Sequence, residues 1–165
     1  NNLNSNTLMP YLLSLLILTT SGCGFHLRGI IDLPEIYQRI YIDNRTQSNI
    51  SIRLRETLAA NKISLVNSPA DASSIIRIHS REVERKALAI RGLEVKEYEL
   101  VLNLSFTVHE PDGKQRGKLH RISNTRRYSF NNEQVLGAGN EETILLEEMS
   151  RDVVNQILRR LSKIQ

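Results

Sequence analysis

Alternation of apolar and polar residues is strongest between positions 95 and 108. Apolar side chains occupy every second position there from Tyr98 to Val108, with polar residues between them, which predicts a half-buried β-strand. Weaker alternation predicts three further strands, and Pro111-Asp112-Gly113 is a turn sequence that joins the last two as a hairpin. The predicted strands are 37–43, 75–88, 95–108 and 117–130.

Apolar residues at steps of three and four predict two helices. Ile50, Leu54 and Leu58 lie on one side of a helix that ends near Asn61. A longer stripe of the same kind covers 141–164. Acidic residues near its start and basic residues in its last turns match the helix dipole, so the charges and the apolar stripe both indicate this second helix.

The order of the predicted elements is β-α-β-β-β-α, which indicates an α+β fold. We expect two helices packed on one face of a four-stranded mixed sheet. The apolar piece at 63–66 is interpreted as a short connection before a turn, and 131–139 as a loop that contains two glycines. A chain of 165 residues suits one such domain, which we place at 37–165.

The first 22 residues carry no charged side chain. Their apolar run, 8–18, would rise about 16 Å as a helix, roughly half of what a bilayer core needs, so a signal peptide is a better interpretation than a membrane span. Small residues lead directly into Cys23, as in a bacterial lipobox, where the cysteine sulfur receives a diacylglycerol. We therefore expect a signal peptide at 1–22 and a lipidated tether at 23–36. The alternative is a buried free cysteine.

Composition excludes several classes of protein. One cysteine cannot form an internal disulfide framework or a cysteine-based zinc cluster, and the histidines are isolated from other metal-binding residues. The chain contains neither the Gly-x-Ser-x-Gly elbow of hydrolases nor a glycine-rich phosphate loop. We therefore expect no enzyme, no metal and no cofactor. The four histidines are His26, His79, His109 and His120.

Cations are concentrated in the middle of the chain, although the net charge is only +4. Six basic residues and no acid lie between Lys114 and Arg127, and a second group surrounds Arg91-Gly92. Both groups fall on consecutive predicted strands and could share one sheet face, where they would suit phosphate groups. An ordinary solvated strand face is the alternative. Nucleic acid is a poorer candidate because aromatic residues are few among these cations.

Several motifs occur along the chain in the order found in one family. Together they resemble the LptE (RlpB) family of LPS-assembly lipoproteins, and the resemblance covers essentially the whole chain. The motifs are Cys23-Gly24-Phe25-His26-Leu27-Arg28, Tyr98 in the longest alternating strand, Tyr128-Ser129-Phe130-Asn131-Asn132, Asn140-Glu141-Glu142, Glu148-Met149 and Ile157-Leu158-Arg159-Arg160-Leu161.

The resemblance implies a location, a partner and a role. LptE-like proteins are anchored to the periplasmic face of the outer membrane by lipid on the cysteine, here a diacylglycerol and an N-acyl chain on Cys23. They plug the large β-barrel LptD, assist its assembly, and with it move lipopolysaccharide to the outer leaflet. A different class of function is the alternative: a structural lipoprotein that only scaffolds barrel folding and binds no lipid.

The resemblance also implies lipopolysaccharide-binding residues. The family's basic residue at the tip between the second and third predicted strands matches Arg91. A further lysine before the last helix has no counterpart here, because Ala138 and Gly139 stand in that loop. The candidates for lipopolysaccharide binding are Arg91, Lys86, Arg85 and Lys96. A secondary basic patch would consist of Lys118, Arg121, Arg126 and Arg127.

Overall fold

The computed structural model describes residues 33–44, 48–91, 94–129 and 135–164. A short 3-10 helix precedes the first strand, a second follows β2, and the main elements run in the order β1-α1-β2-β3-β4-β5-α2. The strands are β1 Arg39–Asn44, β2 Ser64–Leu65, β3 Ser74–Arg91, β4 Glu94–His109 and β5 Gln115–Ser129. The helices are α1 Asn49–Ala60 and α2 Val135–Leu161.

The described strands form one mixed sheet in the order β2-β1-β3-β4-β5. β1 runs parallel to β2 and β3, whereas the other neighbouring strands are antiparallel. The α+β class and the mixed sheet are confirmed, but the predicted number of four strands is wrong. The missed strand is β2, which pairs Ser64 with Arg39 and Leu65 with Ile40. Two residues are too few to show a period of two, so the pattern at 63–66 could not reveal it.

β4 lies at the centre of the long antiparallel part of the sheet, between β3 and β5. Its predicted apolar face is confirmed: the alternate residues from Leu100 to Val108 are at most 2% exposed. Tyr98 is only partly buried, but it packs against the same core. The apolar face of β4 therefore forms the sheet side of the hydrophobic core.

Both helices contribute to that same core, as predicted. Ile50, Leu54 and Leu58 of α1 are completely buried, and so are Met149 and Val153 of α2. α1 contacts β1 and β2, while α2 contacts β4 and β5, and the two helices also contact each other. The face of the sheet that they cover is called the helix face below.

Two element boundaries differ from the prediction. Tyr37 belongs to the 3-10 helix Glu35–Tyr37 and not to the first strand, because its backbone N–H donates to the carbonyl of Pro34 at 2.9 Å. Its side chain is nevertheless buried in the core. α2 begins at Val135, six residues before the predicted start. Glycine disfavours a helix by only about 1 kcal/mol relative to alanine, so Gly137 and Gly139 do not prevent the helical backbone.

β3 extends far beyond its parallel neighbour. β1 pairs only with the segment of β3 that ends at Ile78, and a β-bulge follows between Ile78 and Ser80. From there, β3, β4 and β5 continue as a three-stranded ribbon of residues 80–91, 94–105 and 121–129. Twelve residues of extended strand span about 40 Å, so the ribbon is a long platform.

Candidate functional site

The ribbon carries most of the cations that the sequence singled out, and the bulge decides which way they point. Before the bulge, Ile76 and Ile78 of β3 lie on the helix face. After it the phase is reversed, so that Arg85 is opposite the buried Leu100 while Lys86 is opposite Glu99. Directly opposed residues of an antiparallel pair share one face. Arg85 therefore points to the helix face and Lys86 to the opposite face.

Arg85 takes part in a cluster that connects the ribbon to α2. Its Nη1 atom donates to Glu142 Oε2 at 3.2 Å, and its guanidinium carbon lies 4.9 Å from the centroid of the Tyr98 ring. The hydroxyl of Tyr128 donates to the same Glu142 oxygen at 2.7 Å, and the two tyrosine rings stack with centroids 5.6 Å apart. These four residues are called the tyrosine–glutamate cluster below.

Protonation states fit this arrangement. Burial, with a further contribution from the hydrogen bond to Glu142, raises the pKa of Tyr128 to about 12, so the hydroxyl remains a donor at neutral pH. The hydrogen bond and the charge of Glu142 raise the pKa of Arg85. Tyr98, Tyr128 and Glu142 all lie in the family motifs of the sequence, and their contacts give those motifs a structural purpose. The cluster fixes α2 on the ribbon.

Replacing Glu142 by alanine should lower the free energy of unfolding by about 1–3 kcal/mol, because the mostly buried Tyr128 hydroxyl then loses its acceptor. Glu141→Ala is the matched control, since Glu141 is an exposed neighbour on the same turn, and it should change stability by less than about 0.5 kcal/mol. Urea denaturation measures both variants. Equal effects would show that the cluster contributes nothing beyond surface charge.

The opposite face of the ribbon carries charges of both signs. Lys86 Nζ lies 3.2 Å from a Glu84 oxygen, and Arg127 Nε lies 3.2 Å from a Glu99 oxygen. The side chains of Lys86 and Arg127 are 56% and 64% exposed, so these ion pairs are screened and contribute little to stability. The face is consequently a mixed charged surface and not a purely basic one.

The four residues of the predicted secondary basic patch do not share one surface. Arg121 and Arg127 lie on the opposite face, at the register positions of Ser105 and Glu99. Arg126 lies on the helix face and donates to a carboxylate oxygen of Asp152 on α2. Lys118 is exposed near the start of β5. Successive side chains of a β-strand point to opposite faces, so neighbours such as Arg126 and Arg127 lie on different surfaces.

Three predicted site residues remain: Cys23, Arg91 and Lys96. Cys23 lies outside the described residues, and so do the side chains of Arg91 and Lys96, whose backbones belong to β3 and β4. Both lie at the end of the ribbon remote from β1, on either side of the connection between β3 and β4. Their backbones are thus near each other in the fold.

Within residues 33–44, 48–91, 94–129 and 135–164, no group of three or more metal-binding side chains occurs. None of the helices in those ranges is both long enough and apolar enough to cross a bilayer.

Comparison with known proteins gives a consistent result. The family model for LptE, described as lipopolysaccharide-assembly, matches residues 37–161. A protein of Photorhabdus laumondii named LPS-assembly lipoprotein LptE is 27% identical over 156 residues, which cover 93% of this chain and 85% of the relative. One of the same name from Pectobacterium atrosepticum is 28% identical over 162 residues, covering 95% and 86%.

Solved structures agree on the fold. Lipoprotein B from Nitrosomonas europaea is 30% identical, has a TM-score of 0.72, and the match covers 84% of this chain and 90% of that one. A minor lipoprotein from Acinetobacter baumannii has a TM-score of 0.66 at 22% identity, with 79% and 94% covered, and supports the fold alone. A family match over most of the chain, with relatives that cover it almost end to end, leads to one conclusion: the chain belongs to the LptE family of lipopolysaccharide-assembly proteins.

Proposed function

We propose that the protein is an outer-membrane lipoprotein that binds inside the LptD β-barrel, plugs it, and assists the assembly and translocation of lipopolysaccharide. The observation that carries this proposal is the family match over residues 37–161, which includes every strand and both helices of the described fold. The role is that of a binding and assembly protein and not of an enzyme.

The anchor follows from the first part of the chain. An uncharged leader at 1–22 would direct export, and Cys23 would carry a diacylglycerol and an N-acyl chain. Stable anchoring requires more than one acyl chain, and a triacylated cysteine fulfils that requirement. Residues 23–36 would then link the lipid to the domain at 37–165, which would be held at the periplasmic face.

The surface of the ribbon supports a location inside a barrel. Lumens of outer-membrane barrels are polar, so a plug needs a polar surface with charges of both signs and no large apolar patch. The opposite face of the ribbon fits that description, with Lys86 beside Glu84 and Arg127 beside Glu99. Such a surface can exchange its weak internal ion pairs for contacts with a polar wall at little cost.

Lipopolysaccharide would be contacted at the end of the ribbon. Arg91 and Lys96 lie there, and Lys86 can join them because its partner Glu84 holds it only in an exposed ion pair. Arg85 is less available, since it is bound to Glu142 and lies over Tyr98. We therefore retain Arg91, Lys96 and Lys86 as proposed contacts for lipid A phosphates and give Arg85 a supporting role.

A second function has one observation in its favour. Arg85 and Lys86 are both already paired with acids, which favours a protein that only scaffolds barrel folding and binds no lipid. That scaffold would bind the barrel tightly but would show no saturable affinity for lipopolysaccharide.

Co-purification tests the proposed function. The tagged full-length lipoprotein, extracted from outer membranes in mild detergent, should bring down a large β-barrel in a one-to-one complex. Preparations lacking any barrel would contradict the proposal. Lipopolysaccharide titrated into the purified lipoprotein then separates the two candidate functions, since saturable binding is expected of the translocation component and not of the scaffold.

A further inference from the structure

A cleft of about 380 Å³ opens between α1 and α2, above the helix face of β3. Its walls include Ile52, Arg53 and Glu56 of α1, and Glu147 of α2. Arg81 of β3 also lines it. A cleft of this size accommodates one phosphorylated sugar or a few methylene groups, which is the lower end of the range for small-molecule sites.

Arg81 reaches the cleft because of the bulge in β3. The change of phase after Ile78 places Arg81 opposite the buried Leu104, so its side chain is directed under the helices. Without the bulge the same arginine would lie on the opposite face with the solvated charges. The fold therefore brings a guanidinium into the helix layer, where a leucine or valine would be expected from packing alone.

No partner compensates this guanidinium within the described residues. The Nε atom of Arg81 is buried and has no hydrogen-bond acceptor there, and no ion pair of Arg81 occurs there either. A buried donor without an acceptor costs free energy, and more so when it is charged. Arg85, four residues further along the same face of the strand, forms an ion pair with Glu142 of α2. The lack of an acidic partner is therefore specific to Arg81 and not common to the arginines on this face of β3.

The other charges on the walls are largely engaged elsewhere. Arg53 donates to Glu147 at 2.7 Å, which connects the two helices across the cleft and neutralises both side chains. Glu56 is exposed on α1 and makes no ion pair with Arg81 in the described structure. Among the described residues, Arg81 is therefore the lining cation without an ion-pair partner, and Glu56 is the lining acid without one.

An exposed apolar side chain lies on the wall of the cleft. Ile52, on the α1 wall, is 58% exposed. A large exposed isoleucine in the same cleft as an inward-facing cation matches a ligand whose anionic group and hydrocarbon are close together. A free inorganic anion would remove no apolar surface of Ile52 from water.

We propose that this cleft binds a phosphorylated glycolipid, with a phosphate on Arg81 and an acyl chain against Ile52. This inference rests on the proposed function, because it assigns lipid A a contact apart from the end of the ribbon. Arginine suits the phosphate because its planar donors bind two oxygens at once. An acyl chain against Ile52 would remove apolar surface of both partners from water.

The test uses the full-length lipoprotein in detergent micelles, titrated with bisphosphorylated lipid A. Arg81→Gln should weaken binding by about 10-fold to 100-fold, the range of a lost charge-assisted contact. Arg159→Gln is the matched control, because it removes the same charge from the exposed side of α2 and should leave the affinity unchanged. With fully dephosphorylated lipid A, wild type and Arg81→Gln should bind alike.

Ile52→Asn keeps the test decisive if Arg81→Gln unfolds. Ile52 is exposed, so this variant should keep its circular dichroism spectrum and still bind lipid A several-fold more weakly. Unchanged affinity in every folded cleft variant, or no affinity in wild type, would overturn the inference. So would an Arg81→Gln protein that binds lipid A normally but no longer brings down the barrel, because the cleft would then hold an acidic group of that partner. Whether the wild-type lipoprotein co-purifies with a barrel is measured separately. The proposed function can therefore hold even when the inference about the cleft fails.

Discussion

Alanine in place of Phe106 is expected to lower the free energy of unfolding by about 3–5 kcal/mol, the usual range for truncating a buried phenylalanine. The ring is completely buried in the central strand β4, opposite Ile78 of β3 and His120 of β5. It stacks on the His120 ring with centroids 5.0 Å apart. Its removal would leave a cavity beneath the helices at a position where the backbone is paired on both sides and cannot close the gap.

Urea denaturation followed by circular dichroism measures this loss. Val101→Ala is the control, since Val101 belongs to the same strand but lies on the opposite face and is only partly buried. It should cost about 1 kcal/mol or less. A Phe106→Ala protein as stable as the control would mean that the core of the sheet does not lie where β4 places it.

Serine in place of Cys23 should abolish the incorporation of fatty acid and remove the protein from the outer-membrane fraction. The reason is the loss of the sulfur that would receive the diacylglycerol, since each buried methylene of an acyl chain contributes about 0.8 kcal/mol to membrane binding. Labelling cells with radioactive palmitate, followed by membrane fractionation, measures both effects.

Ser21→Ala is the matched control for the cysteine variant. It preserves a small residue before the cysteine and should leave labelling and location unchanged. Palmitate incorporated equally by the wild type and by Cys23→Ser would contradict the lipid anchor, and with it the proposed assignment of 1–22 as a signal peptide.

Periodicity made the long elements of this fold predictable. In β4 an apolar residue recurs at every second position, and in α2 one recurs every three or four positions over several helical turns. Local sequence and tertiary burial therefore agree in these two elements. β2 escaped prediction because its two residues make only a short edge pairing to β1. β2 forms only because the edge of β1 is available for pairing. That edge exists in the assembled sheet and leaves no pattern in the sequence of β2.

The site was less predictable for a different reason. The segment from Arg81 to Lys86 is mostly charged, so it contains too little apolar alternation to show that the bulge reverses its phase. Arg85 is a predicted lipopolysaccharide contact, and the sequence pattern gave no sign that its guanidinium would also bind Glu142, 57 residues further along the chain. Contacts at such separation arise from packing α2 on the sheet. Cys23, Arg91 and Lys96 remain predictions from the motifs.

The early end of β1 has a consequence for self-association. Beyond Ile78, the outer edge of β3 has no partner strand among the described residues, and a long free edge invites pairing with a second copy of the chain. Register shifts near residues 79 and 88 interrupt the regular hydrogen-bonding pattern of β3. Arg81, Glu84 and Lys86 add charged side chains along the same strand. These are the devices by which sheet proteins resist edge-to-edge aggregation. The long outer edge of β3 is therefore poorly suited to regular pairing with a second copy of the chain.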